Sequence, residues 1–240
     1  MKNIQIYQQL EGARAARGLT VIIDVFRAFT VECMLCANGA AQILPVGSSR
    51  AAYEYREAHP DALLIGERRG VMLPGFDYGN SPSQIEHADF TGKTLVHTTS
   101  AGTQGIANAI HAEEILTGAL VNAAAIAKYI NSSPINEISL VCMGLDGTQE
   151  SPEDTLCAEY IKALALGMHP DISAEANALR YSGGAKFFDP AQSSIFPERD
   201  FHLSIRRDVY DFVLKVEPYA DDFFIAQKIA LPMHPQASRV

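Results

Sequence analysis

The chain has 240 residues, with 19 Lys and Arg against 28 Asp and Glu and a net charge of −9. A chain of that length buries enough surface to fold as one large α/β domain or two small ones, without a disulfide framework or a structural metal. Its 48% hydrophobic and 20% charged residues are ordinary globular usage; no run approaches the ~20 apolar residues that span a bilayer, and the scattered positive charges offer no face to nucleic acid.

The opening Met1-Lys2-Asn3-Ile4-Gln5-Ile6 lacks the basic segment and apolar core of a secretory signal, so a cytoplasmic protein is expected. From there, short β-branched runs alternate with helix-forming segments, the pattern of a largely parallel sheet covered by helices. In chain order the spacing predicts a strand at 19–24, a helix at 28–38, a strand at 42–46, a helix at 48–58, and strands at 62–66 and 93–98. A helix at 102–112, a strand at 114–117, a helix at 121–131, a strand at 137–143 and a helix at 151–166 come next. Beyond about residue 170 the regularity fades into turns, such as Tyr181-Ser182-Gly183-Gly184 and Asp189-Pro190, with peripheral strands near 212–216 and 223–225. No linker composition interrupts the chain, so residues 1–240 read as a single domain with a core at 19–166 and a C-terminal decoration at 167–240.

Ligands of open α/β sheets bind beyond the carboxyl ends of the strands, so the chemistry is sought in the residues just after each apolar run. Carboxylates gather there: Asp24, Glu67, Asp77, Asp146, Glu153 and Asp154. One or two such oxygen donors, with substrate oxygens, are how Mg²⁺ is usually held. Asn80-Ser81 and the stretch Thr98 to Thr103 add hydroxyls and glycines at helix starts, where free N–H groups suit a phosphate. Arg27 and Arg68 are placed to clamp an anion. Together these point to metal-assisted phosphoryl chemistry. Two of the segments also have a plain structural reading, since Ser81-Pro82 and Ser151-Pro152 are good helix starts with Ser as N-cap and Pro at the first helical position.

Other designs are struck out by spacing. No G-x-x-x-x-G-K-[ST] is present, so there is no nucleotide P-loop, and no Cys is followed six residues later by Arg, as a thiolate phosphatase requires. Asp146-Gly147-Thr148 matches part of an aspartyl-phosphate signature, but the nucleophile position is Gly144. Cys33-Met34-Leu35-Cys36 reads as helix core rather than a zinc site, and Cys142 and Cys157 supply no second ligand pair. His97 falls in a strand and reads as a buried residue, while His169 and His234 precede prolines and read as turn residues.

The loops D-V-F-R-A-F-T (24–30), G-E-R (66–68), G-F-D-Y-G-N-S-P (75–82), T-T-S-A-G-T (98–103) and S-P-E-D-T-L-C-A (151–158) together resemble the 2-phosphosulfolactate phosphatase family, in order and spacing, from about 19 to 166. The resemblance implies a three-layer α/β/α fold with a mostly parallel or mixed sheet. It implies a Mg²⁺-dependent phosphoric monoester hydrolase that takes 2-phospho-3-sulfolactate to 3-sulfolactate, toward coenzyme M. It places the acidic positions on Asp24, Glu67, Asp77, Glu153 and Asp154, and the anion-reading positions on Arg27, Asn80, Ser81, Thr98, Thr99, Gly102 and Thr103. Asp24 with Glu153 and Asp154 is the expected metal set; the sequence is silent on assembly, a homodimer being the commonest form of such enzymes. Ala101 departs from the family's T-T-x-N-G-T. That departure keeps two alternatives open: a phosphatase for a different phosphorylated carboxylic acid, and a non-catalytic small-anion binding protein. The acidity is no obstacle to an anionic substrate: the first 84 residues carry eight basic and eight acidic side chains, so the whole net charge of −9 belongs to 85–240.

Overall fold

The computed structural model describes residues 2–220 and 223–231. Its elements are β1 (Asn3–Gln8), α1 (Gln9–Ala15), β2 (Gly18–Ile23), α2 (Ala28–Ala37), β3 (Gln42–Pro45), α3 (Ser49–Ala58), β4 (Leu63–Arg68), β5 (Val71–Met72), α4 (Pro82–Ile85) and β6 (Thr94–Thr98). Then come α5 (Gly102–Asn108), β7 (Ala112–Gly118), α6 (Ala123–Ser132), β8 (Glu137–Cys142), α7 (Pro152–Ala165), α8 (Ser173–Ala178), α9 (Glu198–Ser204), β9 (Phe212–Ala220) and β10 (Phe223–Ala230).

The strands divide between two sheets. One runs β1-β8-β2-β7-β9-β10, parallel through its first four strands and antiparallel thereafter. The other runs β3-β6-β4-β5, with only β5 antiparallel. β2, between β8 and β7, is buried along its whole length, as Leu-Thr-Val-Ile-Ile requires of a strand covered on both faces. Alternation sends Ile22 into one core with Phe29 and Ile106, and Val21 and Ile23 into another with Ile126, Cys157 and Ile161. Helices α2 and α5 thus cover one face and α6 and α7 the other, which makes the fold three-layer α/β/α with mixed sheets.

Helix α2 has no polar stripe: Ala28 to Leu35 are all buried. It lies between the sheets, sharing one core with Ile22 and Val141 of the first and Ile43, Ile65 and Leu95 of the second. β10 joins the sheets from the other side, where Phe223 and Ile225 pack with Leu44, Leu64 and Val96.

Each strand expected from 19 to 143 is present, displaced by no more than two residues at either end. The helix expected at 102–112 stops at Asn108, because the Ala109 N–H bonds to the Gly105 and Ile106 carbonyls and the chain turns into β7. The sequence reading pointed to one sheet where there are two; a β–α alternation does not say which strands share an edge. It also missed β1, whose alternating Asn-Ile-Gln-Ile-Tyr-Gln marks a half-buried edge strand. All four thiols are free, with Cys33, Cys142 and Cys157 buried. His97 is buried as expected, and His234 lies outside the described residues. Among the described residues no helix is long and apolar enough to cross a membrane.

Candidate active site

A cavity of about 520 Å³ opens beyond the carboxyl ends of β2, β4 and β8. Asp24 enters it from the end of β2, where its N–H still bonds to the Gly118 carbonyl of β7 at 3.1 Å. Its Oδ1 accepts the Ala28 N–H at the head of α2 (3.2 Å). Its second oxygen has no protein donor among the described residues. A Cβ on Gly102 would stand 3.0 Å from Oδ2, so the glycine lets α5 start against this carboxylate.

Two more acids reach the cavity from the first turn of α7. Asp154 accepts the Val25 N–H with Oδ1 (2.9 Å) and the Gly144 N–H with Oδ2 (2.8 Å), tying the β2 and β8 loops to the helix. Glu153 is buried, and its Oε2 has no hydrogen-bond partner. Burial, and then the neighbouring Asp154, push the Asp24 carboxyl up from 3.8 to about 7. Burial and then Glu153 do the same to Asp154, also to about 7, while burial raises Glu153. Lys186 draws both Asp24 and Glu153 back down and lines the same cavity.

Glu67 is satisfied differently. It accepts from the Ser100 N–H (2.7 Å), the Ser100 hydroxyl (3.1 Å) and the Gly70 N–H (2.5 Å), so it clamps two loops of the cavity wall together.

Of the cations expected at the anion, Arg27 borders the cavity, with its guanidinium tied into the wall. It donates to Asp200 (2.7 Å) and to the Ile195 carbonyl (2.9 Å), and stacks over Phe196. Ser81 is turned the same way: its hydroxyl and the Ser83 N–H both donate to Asp200, at 2.9 and 2.8 Å. Arg68 donates to Thr98 Oγ1 and to the Glu67 carbonyl, outside the cavity; the next residue, Arg69, lines it instead. Asp77 also lies away from the cavity, bonded to Arg56 and the Leu64 N–H.

In the 98–103 loop the structure again departs from expectation. Thr99 and Thr103 bond each other's N–H and hydroxyl groups to form the start of α5, while Ser100 and Ala101 are the residues that line the cavity. Neither Ser81 nor Ser151 caps its helix through the side chain, although Pro82 and Pro152 do open α4 and α7. Asn80 does line the cavity.

Sequence reasoning missed an entire wall. Ser182, Gly183, Lys186 and Phe196, all from the segment taken as decoration, close the cavity opposite Asp24. Gly183 abuts the Glu153 carboxylate so closely that a Cβ would overlap it. The signal was there in Ser182-Gly183-Gly184, a turn tight enough to approach a buried side chain, with Lys186 just beyond.

Among the described residues, no three His, Cys, Asp or Glu side chains stand close enough to enclose a metal by themselves. Mg²⁺ takes one or two carboxylates and fills its shell with water and substrate oxygens. Of the three buried acids, Asp24 and Glu153 each keep an oxygen without a protein donor among the described residues, whereas Asp154 has both oxygens engaged. The donor set therefore fits a cation shared with substrate.

The family model described as 2-phosphosulpholactate phosphatase matches residues 4–217. A relative from Bacillus subtilis named probable 2-phosphosulfolactate phosphatase is 31% identical over 89% of this chain and 93% of its own. One of the same name from Deinococcus radiodurans is 37% identical over 73% of each.

Proposed function

Since the chain belongs to the 2-phosphosulpholactate phosphatase family and is therefore a phosphoric monoester hydrolase, we propose that it hydrolyses 2-phospho-3-sulfolactate to 3-sulfolactate and phosphate with Mg²⁺ as its cofactor. The observation that carries this reading is the group of buried acids, Asp24, Glu153 and Asp154, with too little positive charge around them and an unpartnered oxygen on Glu153. Asp24 and Glu153 would hold a divalent cation, which would supply the missing charge and Lewis acidity toward the phosphoryl group. Asp154, fixed by two backbone N–H groups, keeps the β2 and β8 loops in register with them. Lys186 offsets charge that develops on the phosphoryl oxygens. Arg27 serves from behind, fixing the wall that carries Lys186.

The test is phosphate release from 2-phospho-3-sulfolactate with Mg²⁺ and with EDTA. Chelation abolishes turnover, and Asp24→Asn lowers kcat by about 10²-fold or more. Full activity of Asp24→Asn under saturating Mg²⁺ would refute the assignment. One observation favours a second reading, a phosphatase for a different phosphorylated carboxylic acid. Ala101, where the family pattern has Asn, is buried and lines the cavity, so it removes an amide from the substrate's surroundings. Turnover of a panel of phosphorylated hydroxy acids separates the two by which substrate has the highest kcat/KM.

A further inference from the structure

Behind the cavity lies a buried polar chain that the proposed reaction leaves unused. Glu32 on α2, His97 on β6 and Asn80 ahead of α4 are 0%, 0% and 5% exposed. His97 Nδ1 stands 2.9 Å from Glu32 Oε1, and Nε2 stands 3.4 Å from Asn80 Oδ1. Glu32 Oε2 is buried with no partner. A buried acid and imidazole, with one oxygen left orphaned, stabilise a fold less than apolar side chains of the same volume do, so stability does not account for them.

Both ring nitrogens face oxygens. With Glu32 ionised, the ring donates at both and the charges of the pair cancel. The donation at Nε2 decides how the Asn80 amide is turned: Oδ1 goes to the ring and Nδ2 away from it. Nδ2 has no protein partner among the described residues, and Asn80 lines the cavity. We infer that Glu32 and His97 are positioning residues, which hold the Asn80 amide so that its N–H₂ group donates to an oxygen of the phosphate ester. The reverse orientation would set a carbonyl oxygen against an anion. The inference rests on reading the cavity as a phosphate-ester site.

Two measurements on the full chain test it. In protein labelled with ¹⁵N-histidine, His97 shows both ring nitrogens protonated. In Glu32→Gln, which removes the charge at Nδ1, the ring keeps only one of the two protons. In phosphate release from 2-phospho-3-sulfolactate with Mg²⁺, His97→Gln and Asn80→Ala each lower kcat/KM about 10- to 100-fold. The double variant falls within about twofold of Asn80→Ala alone, because His97 acts only through the amide. Multiplying losses, or an unprotonated Nε2 in the wild type, would overturn the inference. If His97→Gln does not fold, Glu32→Gln completes the same cycle with Asn80→Ala. If even the wild type releases no phosphate, the proposed function fails, while the nitrogen spectrum still decides the orientation of the amide.

Discussion

Glu153 and Gly183 touch in the cavity wall, and the glycine is there because nothing larger fits against the carboxylate. Gly183→Ala should therefore push Glu153 out of place and lower kcat/KM at least about tenfold, with the midpoint of thermal unfolding little changed. Steady-state kinetics beside a melting curve checks this, and unaltered kinetics would show that Glu153 is not held by that contact. At this scale the sequence was partly legible. Asp24, Glu67, Glu153 and Asp154 stand out because each follows or opens a regular element beside apolar residues, a place a charge does not occupy without cause. Arg68, Asp77 and Ser81 occupy equally suggestive loop positions, yet their side chains turn to Thr98, Arg56 and Asp200. Position along a loop does not say which way a side chain points.

The segment from α8 through α9 is fastened by an apolar cluster of Leu179, Phe187 and Phe201 and by one buried ion pair. Arg27 and Asp200 are both sequestered, and Asp200 also accepts from Ser81 and from the Ser83 N–H. Phe187 and Phe196 set ring faces against the guanidinium and pack in turn with Phe26 and Phe201. Asp200→Ala should cost about 3–5 kcal/mol, because it leaves a buried guanidinium without its counter-charge, and Asp200→Asn less. Urea unfolding measures both; a loss under about 1 kcal/mol for Asp200→Ala would mean that water reaches Arg27. The segment was read as peripheral turns because its helices are short and broken by Gly and Pro, and its anchors are long-range. No local pattern around Asp200 announces a partner more than a hundred residues earlier.

Across the whole molecule, the crowded acids make stability depend on pH and on cation together. In the folded chain without metal, Asp24 and Asp154 keep their protons up to about pH 7, whereas unfolded they release them near 3.8. Their contribution is thus complete below the unfolded value and lost as pH rises through the folded one. In EDTA the melting temperature should fall from about pH 5 to about pH 8, and Mg²⁺ should raise it more at the upper end than at the lower. Scanning fluorimetry at several pH values checks this, and a melting temperature that climbs with pH in EDTA would contradict the assigned shifts. The layer architecture was legible because β–α periodicity is a local signal. The division into two sheets was not, because it depends on which edges meet.

Those edges also set an order of events. β10, which lies against the second sheet through Phe223 and Ile225, is synthesised after every other strand among the described residues. β1, the first, pairs with β8 across 134 residues of chain (Asn3 with Glu137). The wall bearing Gly183 and Lys186 arrives between them. A nascent chain therefore carries Asp24 for most of its synthesis without the surfaces that enclose it, so the acids gather only as the final third emerges. Folding is correspondingly weighted toward the synthesis of this later part, and the face of the second sheet that bears Leu44, Leu64 and Val96 lacks its β10 cover until then.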